Sequence, residues 1–265
     1  MTALPICATC GTQFPAPSPN CPICEDERQF VAYGGQRWTA LDTMRRTHAN
    51  FWRRYEPDLY AVGTTPAFAI NQRAFLVQTP AGNILWDCIS LLDDATIDLI
   101  SALGGLVGIA ISHPHYYTTM VDWAHAFNAP VWLHEADRAH VMRPDPSLRF
   151  WSGATQPLLP GLTLINAPGH FAGGTVLHWN RGVLLCGDIL QVVPDRSSVS
   201  FMRSYPNLIP LSAPIVRATA EILEPYAYDR VYGAFWDREI LTEGKAKVAR
   251  SVARYLHWIS SDAKP

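Results

Sequence analysis

Apolar residues along this chain fall in short, strand-length runs divided by polar turns, with amphipathic stretches of helical period between them. Ala67–Ile70, Ala74–Gln78 and Asn83–Trp86 read as antiparallel strands, the last two joined by the turn Thr79-Pro-Ala-Gly82. Asp93 or Asp94 opens a helix to about Leu103, where Gly104-Gly105 stops it. The apolar run from Val107 ends at Ser112. Thr118 or Thr119 then caps a helix through Asn128, followed by a strand over Pro130–His134 and a short helix around Glu135–Val141. Arg143–Pro160 is Pro-rich and reads as loop. Beyond it come strands at Leu162–Ile165, Thr175–Trp179 and Val183–Cys186, a helix at Pro214–Leu223, a strand at Asp229–Tyr232 and a closing helix from about Glu243 to Ile259. Ahead of all these, Thr39 caps a predicted helix reaching Tyr55, with Pro57 as its stop. Strand and helix in alternation predict an α/β (α+β) domain.

Length, charge and cysteines narrow this picture. With 265 residues, 48% of them hydrophobic, the chain can bury one large core plus a small appendage. The expected division is a zinc-ribbon-like knuckle over 1–30, a linker helix over 31–60 and the main domain over 61–265. Net charge is only −2 and no block of Lys or Arg occurs, so no nucleic-acid partner is expected. No apolar run approaches the roughly 20 residues that span a bilayer. The first residues, Met-Thr-Ala-Leu-Pro-Ile-Cys, lack the basic start and apolar core of a secretion signal, which predicts a cytoplasmic protein. In a reducing compartment the six cysteines suit ligands or buried thiols better than disulfides.

Four of those cysteines form two C-x-x-C knuckles, Cys7/Cys10 and Cys21/Cys24. Thiolates so spaced can close a tetrahedron around zinc, and a segment this short has no core without such a staple; two disulfides or a redox pair are the alternatives. A closed four-Cys site holds shape and does no chemistry itself. A protein partner of the knuckle is compatible with it. Cys88 has no basic neighbour in sequence and reads as a packing thiol.

The candidate chemistry lies at strand ends. His113-Pro-His115 places two imidazoles on a loop, and Pro114 biases the preceding residues toward extended geometry. Pro168-Gly-His170-Phe-Ala-Gly-Gly puts a third histidine in a glycine turn. Asp188 follows the strand Val183–Cys186, and Asp87 follows Trp86, where it suits either a site or a turn cap. Three imidazoles and a carboxylate suit zinc, iron or manganese. His134, ending a strand, is a candidate to support that site. Tyr116 and Tyr117 suit oxyanion donation or aromatic packing, and Arg196 and Arg203, in the long loop Gln191–Leu211, suit an anionic substrate or surface ion pairs. His48, His125, His140, His178 and His257 read as surface or packing groups.

From about Thr65 onward these motifs resemble the metallo-β-lactamase superfamily. His113-Pro-His115 looks like the start of its H-x-H-x-D-H motif, Pro-Gly-His170 like its third histidine turn, Gly187-Asp188 like its bridging aspartate, and Asp87 like the aspartate of its early D-x-G. The resemblance implies an αββα sandwich with the metal at one edge. The chain also departs from the pattern: Tyr117 and Thr118 stand where the family has Asp and His, Ile89 replaces the D-x-G glycine, and Ala234 occupies the expected place of a late histidine. One ion, zinc or iron, held by His113, His115, His170 and Asp188 is therefore expected in place of two, with Asp188 as proton acceptor. The expected activity is mononuclear hydrolysis of an ester, thioester or phosphoester in a small-molecule substrate. A non-haem iron oxidoreductase of the sulfur-dioxygenase type and a non-catalytic binding protein are the alternatives.

Overall fold

A computed structural model describes residues 3–260, which form two compact units meeting in sequence at Trp151 and Ser152. The first holds a seven-stranded sheet whose spatial order follows the chain: Ala49–Glu56, Leu59–Thr65, Ala74–Thr79, Gly82–Trp86, Gly108–Ala110, Val131–His134 and Leu148–Trp151. Its first four strands pair antiparallel, with tight turns at 57–58 and 80–81 and a longer loop over 66–73. The last three run parallel to their neighbours. Helices explain the change, since parallel pairing needs a crossover: Asp94–Ala102 and Met120–Phe127 supply two, and a 3-10 turn at Glu135–His140 lies in the third. Asp93 caps the first helix by accepting the Thr96 N–H at 2.9 Å. The helix ends as Gly105 N–H donates to the Ile100 carbonyl at 2.9 Å.

The helix expected from residue 40 to Tyr55 is a correction. Only Leu41–Thr47 is helical, the backbone turns extended at His48, and Ala49–Glu56 is the sheet's edge strand. Pro57-Asp58 is the turn that pairs Glu56 with Leu59. The adjacent Phe51 and Trp52 suit a helix face as well as an edge strand that is half-buried on both faces, and so the sequence pattern misleads. The strand expected at Ala67–Ile70 is also absent. Ala69 and Asn71 adopt positive φ of 51° and 60°, incompatible with a strand.

In the second unit a six-stranded sheet runs Thr155–Leu159, Leu162–Asn166, Thr175–Trp179, Val183–Gly187, Arg230–Gly233, Glu239–Ile240. Only Val183–Gly187 and Arg230–Gly233 pair parallel, and the crossover between them carries the helix Ala213–Leu223. Ile165, Leu184, Cys186, Leu190, Val216, Leu223, Val231 and Val248 pack as one apolar cluster, with the helix Gly244–Trp258 supplying Val248. Leu148–Trp151 and Thr155–Leu159 correct the loop expected over 143–160. Likewise, the loop expected over 191–211 holds two short ladders, Gln191–Val192 with Val199–Ser200 and Met202–Ser204 with Ile209–Pro210. Among the described residues no helix is long and apolar enough to cross a membrane.

Leu184 sits in this cluster at 0% exposure. Leu184→Ala is expected to cost about 2–5 kcal/mol through lost transfer energy and a residual cavity, read as a lower urea midpoint with unchanged slope.

Candidate functional site

The cysteine knuckle is fully formed within the first unit. Cys7 and Cys10 flank a tight turn in which Gly11 N–H donates to the Cys7 carbonyl, and Cys21 is the N-cap of the short helix Pro22–Glu25, which contains Cys24. Their four sulfurs lie within 4.8 Å of one another, with Cys7–Cys24 at 3.5 Å and Cys10–Cys21 at 3.6 Å. A tetrahedron of thiolates about 2.3 Å from a zinc ion has edges of about 3.8 Å, so the sulfurs fit such an ion. Among the described residues no cysteine forms a disulfide. Neighbouring thiols, Cys10 foremost, hold Cys7 well below the ordinary thiol range. Gln36 adds a side-chain N–H to Cys7 Sγ at 3.1 Å, the kind of outer contact that steadies a sulfur ligand.

Two histidines follow the first unit's strand Gly108–Ala110. His113 and His115 are 1% and 2% exposed, their rings 5.1 Å apart on either side of Pro114. Their loop is held on several sides. Asp87 accepts the Ser112 N–H at 2.7 Å, Ser112 Oγ meets His113 Nδ1 at 2.8 Å, and Gln72 donates to the His115 carbonyl at 3.2 Å. Asp87 itself stands at φ 63° and is 1% exposed. Asp87→Ala is expected to destabilise the fold by about 1–3 kcal/mol, because the buried Ser112 N–H loses its acceptor. Thermal melting checks this.

In the second unit, the candidates His170 and Asp188 are buried, 1% and 4% exposed. The His170 ring packs on Phe171 and Tyr205, and its Nδ1 lies 2.9 Å from the Arg203 carbonyl and 3.2 Å from that of Met202. A carbonyl can only accept, so Nδ1 carries the proton and Nε2 keeps its lone pair. Gly187 takes φ 50° where the strand register shifts, which turns Asp188 out of the ladder. The Tyr205 hydroxyl donates to the Asp188 carbonyl at 2.9 Å. Burial, then the Asp188 charge, pushes that phenol well above its usual range, so it stays a donor.

Tyr116 is fully buried with its ring 5.4 Å from that of His113, and Tyr117 is buried, its phenol pushed up by desolvation and Asp137. His134 Nδ1 accepts the Ala136 N–H at the start of the 3-10 turn, and its ring stands edge-on to Trp151 at 4.5 Å. Arg196 pairs with Glu239 at 3.1 Å and Asp237 at 3.4 Å. Arg203 contributes its carbonyl to His170. Cys88 is wholly buried and its thiol is pushed up by that burial. Sequence reasoning missed Gln72, Ser112 and the bond from Tyr205. Only Ser112 carried a signal, its adjacency to His113.

The protein described as "Uncharacterized protein YmaE" of Bacillus subtilis (strain 168) is 46% identical over 267 residues, covering 97% of each chain. The chain belongs to the YmaE family. No family model matches it. Among solved structures, the DIM-1 metallo-beta-lactamase superposes with TM-score 0.60 at 12% identity, over 80% of this chain and 98% of that one. TTHA1623 in a di-iron-bound form superposes with TM-score 0.51 at 23% identity, over 70% and 94%. This member of the YmaE family thus has the metallo-β-lactamase fold, preceded by a four-cysteine cluster.

Proposed function

We propose that the protein is a metal-dependent hydrolase of esters, thioesters or phosphoesters, with one cation on His113, His115, His170 and Asp188 and a structural zinc on the four cysteines. The observation that carries this reading is a set of buried donors at strand ends, His113 and His115 in the first unit and His170 and Asp188 in the second, each 4% exposed or less. The His170 tautomer supports it, since it keeps an Nε2 lone pair for a cation. So does the fold shared with DIM-1, whose name is that of a hydrolase. The family's second donor set is largely replaced, by Tyr117, Thr118 and Ala234, which favours one ion over two.

A cation there would supply Lewis acidity, enough to bring the pKa of water down to about 7 and to polarise an acyl or phosphoryl oxygen. This chain's own part is orientation and proton handling. Ser112 and the Arg203 carbonyl fix two imidazoles, Asp87 fixes the backbone that carries them, and the Asp188 carboxylate accepts a proton.

A second reading, iron-dependent oxidation, is favoured by one observation, the di-iron form of TTHA1623 on the same fold. Elemental analysis of purified protein separates the readings. Two zinc ions per chain are expected. One zinc with one iron favours oxidation, and a single zinc lost only on cysteine substitution leaves a binding protein and overturns the hydrolase.

A further inference from the structure

The knuckle packs on the segments that carry the histidine loop, and its contacts run through polar groups that the proposed chemistry does not use. Gly11, directly after Cys10, accepts the Ser90 hydroxyl at 3.0 Å, and its φ of 84° puts a would-be Cβ 2.3 Å from Ser90 Oγ. Gln13 N–H donates to the Thr118 carbonyl at 3.0 Å, three residues past His115. The Gln13 side chain, 3% exposed, donates to Asp122 at 2.8 Å, and Arg143 bonds both Gln13 and Asp122. Ser90 in turn accepts the Thr119 hydroxyl through its carbonyl at 3.0 Å. Asp87, three residues before Ser90, holds Ser112. Thr118 and Asp122, past the histidines, are thereby bonded to Gln13, and the Asp87–Ser90 segment that holds Ser112 is bonded to Gly11.

We infer that the ion on the four cysteines positions the histidine loop, so that loading the knuckle raises the affinity of His113 and His115 for their own cation. This rests on the metal-centre reading above. The physical basis is that the Cys7–Thr12 turn has no fixed shape without its ion, whereas the Gly11 carbonyl and the Gln13 side-chain amide must stand still to hold Ser90 and Asp122. Such coupling is reciprocal: filling the histidine site also strengthens binding at the cysteines. Gln13 and Ser90 are positioning residues that never touch the ion.

Cobalt(II) titration of the full chain tests this, because a thiolate site absorbs by ligand-to-metal charge transfer and a site of nitrogen and oxygen donors does not. The variant is Gln13→Ala with Ser90→Ala, which leaves every ligand in place. The wild type is expected to take up two ions. The variant is expected to keep the charge-transfer band and its first-ion affinity while the second ion binds about tenfold or more weakly, the usual effect of removing support behind a ligand. Wild-type affinity for the second ion in the variant overturns the inference. Loss of both ions together overturns it too, since the contacts would then hold up the fold and not the loop. A wild type that binds only the thiolate ion overturns the histidine centre instead.

Discussion

Cys10→Ala is expected to remove one metal ion per chain and to lower the unfolding free energy by on the order of 5 kcal/mol. The Cys10 side chain is fully buried, its sulfur is 3.6 Å from Cys21 Sγ and 3.3 Å from Thr12 Oγ1, and alanine supplies neither ligand nor volume. The apolar content of the knuckle is small: Phe14 and Ile23 buried, with Trp38 and Met142 packed against the cysteines. Such a cluster cannot offset the chain entropy of some 30 ordered residues at roughly 1–2 kcal/mol each without an ion. Thermal melts with and without a chelator are the check. The wild type should melt earlier with chelator, and the variant should melt at that lower temperature under both conditions. A variant that keeps its full metal content and its melting temperature would show that the four sulfurs hold no ion.

Asp188→Asn is expected to lower turnover at least a hundredfold, the low end of what a positioned proton acceptor contributes. Asparagine keeps the shape and leaves the Tyr205 bond untouched, because that bond goes to the backbone carbonyl. What is lost is the negative charge and the proton-accepting oxygen, in a side chain that is 4% exposed. The assay is a panel of simple ester, thioester and phosphoester substrates with metal-loaded protein, with kcat and KM separated. A fall confined to kcat fits proton transfer. Equal turnover by the variant and the wild type would exclude Asp188 from the chemistry.

The proposed donors stand out in the sequence because each sits where a regular pattern breaks: His113 and His115 after a β-branched run, His170 among glycines, Asp188 after a buried strand. Such breaks are local, and so are the C-x-x-C spacings. The contacts that support them were not legible. Gln72, Tyr205 and Gln13 act on residues 43, 17 and 109 positions away, and nothing around them in sequence marks them out. The edge strand Ala49–Glu56 failed for a different reason. A strand half-buried on both faces has no strict alternation, and neighbouring Phe51 and Trp52 satisfy a helical stripe equally well. The short ladders after Gln191 are two or three residues long, below the length at which periodicity carries information.

The reach of the knuckle's polar contacts also bears on assembly. The cysteines lie within 18 residues of one another, so an ion can fold that turn from a short length of chain, while the partners of Gln13 are Asp122 and Arg143, 109 and 130 positions on. Closing loops that long is slow compared with closing a short one. A metal-folded turn formed early would act as a waiting template against which the later strands find their register, and metal starvation during synthesis would then be felt as misfolding far downstream of the cysteines themselves.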